Sequence, residues 1–195
     1  TSLAAQLLQT TILWQVYEMT NSAILLGLSG VARAIPHLVL SLVGGVVADR
    51  VNRVYLIQAG QIANAALLLG LVVLMLTGLV EVWHLYLITL LNSGFSAVTQ
   101  PARTALVPSL VPVGNLVNAI ALNATIGQTS QIIGPALAGI TIAVVGLELA
   151  YLVSGLLYMT AMVAIMGILT ISSTPEVIES PWKSFREGMT FVRNR

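Results

Sequence analysis

At 195 residues, 57% of them hydrophobic and only 8% charged, the chain is excluded from the soluble domains, in which about a quarter of residues are charged; it reads as an integral membrane protein whose first partner is the lipid bilayer. A net charge of +1 with no basic patch excludes nucleic acid as a partner. The absence of cysteine excludes disulfides and thiolate metal sites and leaves the redox compartment open.

Hydropathy places six stretches of roughly twenty residues or more, each a candidate bilayer span. The first, 2–17, is short. Its opening Thr-Ser-Leu-Ala-Ala-Gln has neither Met nor a basic run, so it is not a signal peptide and reads as a chain cut inside a first span. The others are 22–48, 54–78, 82–102, 116–145 and 149–171, joined by short linkers. An all-α membrane fold is therefore expected, a bundle of six transmembrane helices over residues 1–171.

The second and third spans are separated by Gly45-Val-Val-Ala-Asp-Arg-Val-Asn-Arg53, a tight cluster of charge in an apolar region. So short a link predicts antiparallel neighbours. Gly45 would let two helices approach closely. Asp49 could accept from free N–H groups at a helix start. Arg50 and Arg53 would lie at headgroup depth, and Asn52 could take a left-handed turn conformation.

Charge then sets orientation. The loops after spans one, three and five hold Glu18, Glu81 and Glu148 and no Lys or Arg. Those after two and four, with the tail, hold Arg50, Arg53, Arg103, Lys183, Arg186, Arg193 and Arg195. The basic side is cytoplasmic, which puts both termini inside the plasma (bacterial inner) membrane. Trp83, Tyr86 and Tyr151 would form an outer aromatic belt.

Helical spacing marks faces not meant for lipid. Thr11, Gln15 and Glu18 share a face of the first span; Asn92, Ser96, Thr99 and Arg103 share one of the fourth. Asn, Gln and Glu pack poorly in lipid, so these faces are expected to line a watery substrate cavity. On the fifth span Asn123, Gly127, Ser130, Gly134, Ala138 and Thr141 make a stripe of small residues suited to helix packing. Arg33 falls mid-span, with no carboxylate at its depth. Its partner would be water, an anionic substrate group, an acid elsewhere, or the backbone carbonyls at Pro36. His37 and His84 sit on different spans without metal spacing, so no metal site and no cofactor is expected. Pro36 and Pro135 interrupt the middle spans of two three-span units, as an inverted repeat would.

Beyond Ser172 the composition turns to Pro, Glu, Ser, Trp, Lys and Arg. Trp182, Phe185, Met189 and Val192 recur at steps of three, four and three, with basic residues opposite. Residues 172–195 are thus expected to be a cytoplasmic segment in which residues 180–195 form an interfacial amphipathic helix, or else a disordered polar linker between two halves.

Several of these motifs resemble one family. Gly45-x-x-x-Asp49-Arg50-x-Asn52-Arg53 resembles the cytoplasmic loop signature of the major facilitator superfamily, Gly-x-x-x-Asp-Arg/Lys-x-Gly-x-Arg/Lys-Arg/Lys, with Asn52 for Gly and without the further basic residues. Gly134-Pro135-Ala-Leu-Ala138-Gly139, preceded by Ser130, resembles the fifth-span Gly-Pro-x-x-Gly-Gly of its exporters. Gln100-Pro-Ala-Arg-Thr-Ala-Leu-Val-Pro-Ser-Leu-Val-Pro, Asn118-Ala-Ile-Ala-Leu-Asn and Arg186-Glu-Gly-Met-Thr-Phe-Val-Arg are similar to the enterobactin-exporter and macrolide-efflux-like branch. The resemblance covers nearly the whole chain. It implies the N-terminal six-helix half of a twelve-helix secondary transporter, a 3+3 inverted repeat whose partner is a missing C-terminal half. It further implies proton-coupled export of a small molecule (drug, macrolide or siderophore) by alternating access. In such a protein the 45–53 loop latches the cytoplasmic gate; Asp49 would pair with Arg103 or Arg53, or else cap the third helix.

Two other readings are weighed. Gly27-Leu28-Ser29-Gly30 matches the Gly-x-Ser-Gly of rhomboid-type intramembrane proteases, with His84 the only base near the same face. A six-span assembly module that binds a partner without transport is the third class.

Overall fold

In a computed structural model, residues 1–166 are described; they are helical throughout apart from short links. The helices are α1 (Ser2–Thr20), α2 (Ala23–Arg50), α3 (Arg53–Leu76), α4 (Val82–Ser109), α5 (Leu116–Val145) and α6 (Leu147–Met166), with one 3-10 turn at Val113–Asn115. The segment expected to form an amphipathic helix over 180–195 lies outside the described residues, as do the side chains of Asp49 and Arg50. Among the described residues, four helices are long and apolar enough to cross a membrane: α2 over Ala23–Ser41, α3, α5, and α6 over Leu147–Ile165. The other two, α1 and α4, are those whose sequences carry the Asn, Gln and Thr stripes.

Local chemistry explains the boundaries. Asn21 ends α1 in the left-handed region (φ 48°, ψ 27°), its N–H bonded to the Tyr17 carbonyl at 2.8 Å; Asn is among the few residues that adopt it readily. Ser22 follows in extended backbone, and its Oγ accepts from the Leu25 N–H at 3.4 Å, capping α2. The next junction corrects two expectations. Helix α2 runs through Asp49 to Arg50, so Asp49 stands in a last helical turn and cannot cap α3. Asn52 does so instead, Oδ1 accepting from the Val54 N–H at 3.0 Å, with φ −56° and ψ 117° rather than a left-handed turn. A cap must directly precede the first helical residue with its side-chain oxygen over the free N–H groups, and only Asn52 has that place. Helix α4 opens at Glu81, whose carboxylate accepts from the Trp83 indole at 2.7 Å while its own N–H donates to His84 Nδ1 at 3.1 Å. It continues past the predicted end at 102, through Pro101 and Pro108, to Ser109.

Packing centres on α4. Helix α2 lies parallel to it: Tyr86 donates to the Leu25 carbonyl at 2.8 Å, Ser93 to the Arg33 carbonyl at 2.6 Å, and Gly44 meets the backbone at Ala97. Helix α3 runs antiparallel to α4, with Asn64 beside Asn92, Gly60 beside Thr99, and Arg53 Nη1 donating to the Ala105 carbonyl at 3.3 Å. Extensive seams also join α3 to α6 and α1 to α5. Helices α2 and α3 barely touch, against the expectation that their short link makes them packed neighbours. The link fixes two ends, not two axes, and α4 is the helix that packs on both.

Among the described residues, the charge pattern is reproduced in three dimensions. Glu18, Glu81 and Glu148 share the end where Tyr86 meets Leu25 and Tyr151 meets Gln15. Arg53 and Arg103 share the other, where Arg103 Nη2 donates to Ser2 Oγ at 3.5 Å. An apolar cluster toward the acidic end unites Leu8, Ile12 and Val16 with Leu68, Leu71, Leu85 and Tyr151; a smaller one at the basic end holds Val54, Ile57, Ala102 and Leu106.

Tyr151 is another correction. It is fully buried, not part of an aromatic belt, and its hydroxyl donates to Gln15 Oε1 at 2.6 Å. Tyr86 is half-buried on α2, and only Trp83 is exposed. Tyr151→Phe is expected to cost about 1–2 kcal/mol, because it strands the buried Gln15 oxygen. Thermal melting of the purified protein checks this; an unchanged midpoint would show that the bond contributes nothing net.

Candidate functional site

A cavity of about 580 Å³ opens among the helices, with walls from α1 to α6. Arg33 of α2 and Asn92, Ser96, Thr99 and Arg103 of α4 all contribute to its lining. Pairing along α4 explains the alignment. Ser96, Thr99 and Arg103 follow Asn92 at steps of four, three and four, which keeps them on one helix face.

Thr11 and Gln15 are not in the lining, contrary to the sequence reading. Both are buried in the packed face of α1: Thr11 returns its hydroxyl to the Leu7 carbonyl at 2.9 Å, and Gln15 accepts from Tyr151. The tyrosine satisfies the Gln15 amide oxygen, which is what allows that acceptor to be buried in the seam. The cavity face of α1 is instead the one with Gln6 and Gln9. Their three-residue spacing is a polar signal the sequence offered. Gln61 and Asn64 of α3, Gln131 of α5 and Tyr158 of α6 also line the cavity; Gln61 and Asn64 share the three-residue spacing of one helix face, a second polar signal the sequence offered.

The lining is partly knitted together. Asn92 Nδ2 donates to Asn64 Oδ1 at 2.9 Å and to the Tyr158 hydroxyl at 3.2 Å, joining α3, α4 and α6 at one node. Thr99 bonds back to the Phe95 carbonyl at 2.9 Å. Two buried lining residues are left without partners. Ser29 is 3% exposed with no bond at Oγ, and Gln61 is 4% exposed with none at Oε1 or Nε2. Native interiors rarely leave such groups orphaned.

Arg33 is exposed toward this space, and among the described residues no ion pair or hydrogen bond engages its guanidinium. The backbone-carbonyl role considered for it is not what is seen. At the Pro36 turn it is the Arg33 carbonyl that is used, by Ser93. No Asp or Glu is among the described lining residues.

The loop motif is rearranged in detail. Gly45 has open space where a Cβ would go, whereas a Cβ on Gly44 would stand 2.7 Å from the Ala97 carbonyl oxygen and 2.9 Å from Val98 Cα; the close approach belongs to Gly44. Arg53 reaches Ala105, and Arg103 points into the cavity toward Ser2. On α5, Ser130, Gly134 and Ala138 are buried, with Gly134 pressed on Gln6 of α1, while Pro135 and Gly139 are exposed. His84 is engaged at the start of α4, so it is not a base for Ser29, whose hydroxyl has no partner. Nucleophilic serine chemistry needs those two within hydrogen-bond reach.

Comparison with known proteins adds the following. Residues 2–194 match the family model described as transmembrane secretion effector. The chain is 26% identical over 182 residues to an uncharacterized MFS-type transporter of Bacillus subtilis, covering 91% of this chain and 42% of that protein. It is 25% identical over 194 residues to macrolide efflux protein A of Streptococcus pyogenes, covering 98% and 48%. It is 27% identical over 181 residues to the enterobactin exporter EntS of Shigella boydii serotype 4, covering 91% and 43%. The chain thus spans about half the length of the curated relatives it matches.

Proposed function

The chain belongs to the transmembrane secretion effector family of the major facilitator superfamily, and on that premise we propose that it forms the N-terminal half of a proton-coupled exporter of small organic molecules. The observation that carries this reading is a cavity of about 580 Å³ that gathers Arg33, Gln61, Asn64, Asn92 and Arg103 within a largely apolar bundle. Such a cavity is costly in lipid unless it holds water or a ligand. A second half docked over it would complete a central site reached alternately from either side.

The helix contacts support a 3+3 inverted repeat. Exchanging α1, α2 and α3 with α4, α5 and α6 turns the α2–α4 seam into the α5–α1 seam. The same exchange turns α3–α4 into α6–α1 and leaves α3–α6 unchanged, and all of these seams are present. We read the basic end, with Arg53 and Arg103, as the cytoplasmic face of the inner membrane with both termini inside, and the 45–53 link with Arg103 as its gate. The segment 172–195 would lead to the second half. The names of two relatives, macrolide efflux protein A and enterobactin exporter, support a small organic molecule of that kind as the cargo.

The test is export by the full-length protein in proteoliposomes under an imposed pH gradient. Efflux of a loaded dye should follow the gradient and stop when a protonophore collapses it. Transport that ignores the protonophore sinks the proton coupling. A protein that binds ligand yet never transports is the assembly module instead.

A further inference from the structure

We infer that the cavity takes an organic anion, with Arg33 receiving its negative group and the Gln61 amide and Ser29 hydroxyl completing its hydrogen bonds. The inference rests on the exporter reading and narrows its cargo.

Charge is the first argument. The described lining carries two guanidinium groups, Arg33 and Arg103, and no carboxylate. Arg103 is tied to Ser2 at the basic end, but Arg33 has no partner among the described residues. A guanidinium within an apolar bundle attracts an anion far more strongly than it would in water, because the surrounding dielectric is low. The same field repels a cation of equal size. A guanidinium also presents a planar fork of donors that fits a carboxylate or a similar pair of oxygens.

The second argument is independent of charge. Gln61 and Ser29 are both more than nine-tenths buried, line the cavity and have no hydrogen-bond partner. Leaving a buried polar group unpaired costs about 1–3 kcal/mol, so these atoms are arranged for something that arrives. Their places fit one ligand. Ser29 is four residues before Arg33, hence on the same face of α2. Ser93 holds the Arg33 carbonyl, and its neighbour Asn92 holds Asn64, one turn from Gln61. Arg33 and Gln61 therefore stand on the walls flanking α4, about one helical turn (~5 Å) apart in depth. Hydroxyl or amide groups beside the anionic centre would meet Gln61, which both donates and accepts.

Two dyes that share a ring system and differ in charge make the test. Binding of carboxyfluorescein, an anion, and rhodamine 123, a cation, is measured by fluorescence anisotropy on the full-length protein in detergent. Carboxyfluorescein should bind at least about tenfold more tightly, the ratio set by one charge-assisted contact. Arg33→Gln should weaken it about tenfold and leave rhodamine 123 unchanged or improved, and Arg33→Lys should recover only part. Gln61→Leu should weaken it several-fold without lowering the melting temperature, since an unpaired buried amide adds no stability. Equal binding of the two dyes overturns the inference, as does a folded Arg33→Gln protein that binds carboxyfluorescein normally, or no carboxyfluorescein binding at about 1 mM. Binding that behaves as expected while neither dye is exported from proteoliposomes overturns the exporter reading and leaves the anion site standing.

Discussion

Gly44→Val is expected to prevent the bundle from assembling, while Gly45→Val one residue away is tolerated. A Cβ at Gly44 would lie 2.7 Å from the Ala97 carbonyl oxygen and 2.9 Å from Val98 Cα. Both obstacles are backbone, so no rotamer change relieves them; α2 and α4 must move apart. That seam also holds the Tyr86–Leu25 and Ser93–Arg33 bonds, which lengthen with it. Overpacking of one site costs about 1–3 kcal/mol, and the branched side chain with a lost seam exceeds that, against a total stability of about 5–15 kcal/mol. Even Gly44→Ala should lower the melting temperature clearly. Gly45→Ala has open space around it and should be neutral or slightly stabilising, since Ala favours helix by about 1 kcal/mol. Size-exclusion profiles and melting curves of the variants decide. Matching behaviour of the two alanine variants would mean that α2 and α4 do not approach as closely as described.

That contrast shows where sequence reasoning reaches its end. The motif identifies a glycine-bearing helix end, but Gly44 and Gly45 differ by 100° around the helix, and only the facing partner selects one. The same limit explains Thr11 and Gln15. Their spacing correctly gives one face of α1, yet a polar face can close on a tyrosine from a helix far along the chain as well as on water. Tyr151, 136 residues from Gln15, left no local trace of that. Asn92, Ser96, Thr99 and Arg103 were legible because α4 carries four polar residues in register, and a dry seam has no room for that many. Helix number, charge sidedness and most boundaries were legible for a plainer reason: length, apolar runs and cap residues are local properties. The Asn52 cap was misread because capping depends on which residue directly precedes the helix, and the sequence placed that boundary at residue 54 rather than 53.

Asn92→Leu is expected to be the most damaging change inside the cavity, and pairing it with a second substitution should rescue the fold. Asn92 donates both to Asn64 on α3 and to Tyr158 on α6. Asn64 is 5% exposed and Tyr158 3%, so water cannot readily replace the lost donor. Stranding the Asn64 amide should cost about 1–3 kcal/mol, and helix pairs in membranes place the net worth of such bonds at about 0.6–2 kcal/mol. Asn64→Leu alone should cost a similar amount by stranding Asn92. With Asn64→Leu and Asn92→Leu together, both partners of the bond become apolar and the penalty for an unmet group disappears. The loss should then fall well short of the summed single losses, a coupling of about 1 kcal/mol or more. Melting temperatures of the four proteins measure it. On the exporter reading proposed above, the recovered fold should still fail to export, because the α3–α4 wall of the cavity has lost two amides. Strictly additive losses would show that Asn64 and Asn92 act through separate contacts, and the three-helix node would then hold nothing together.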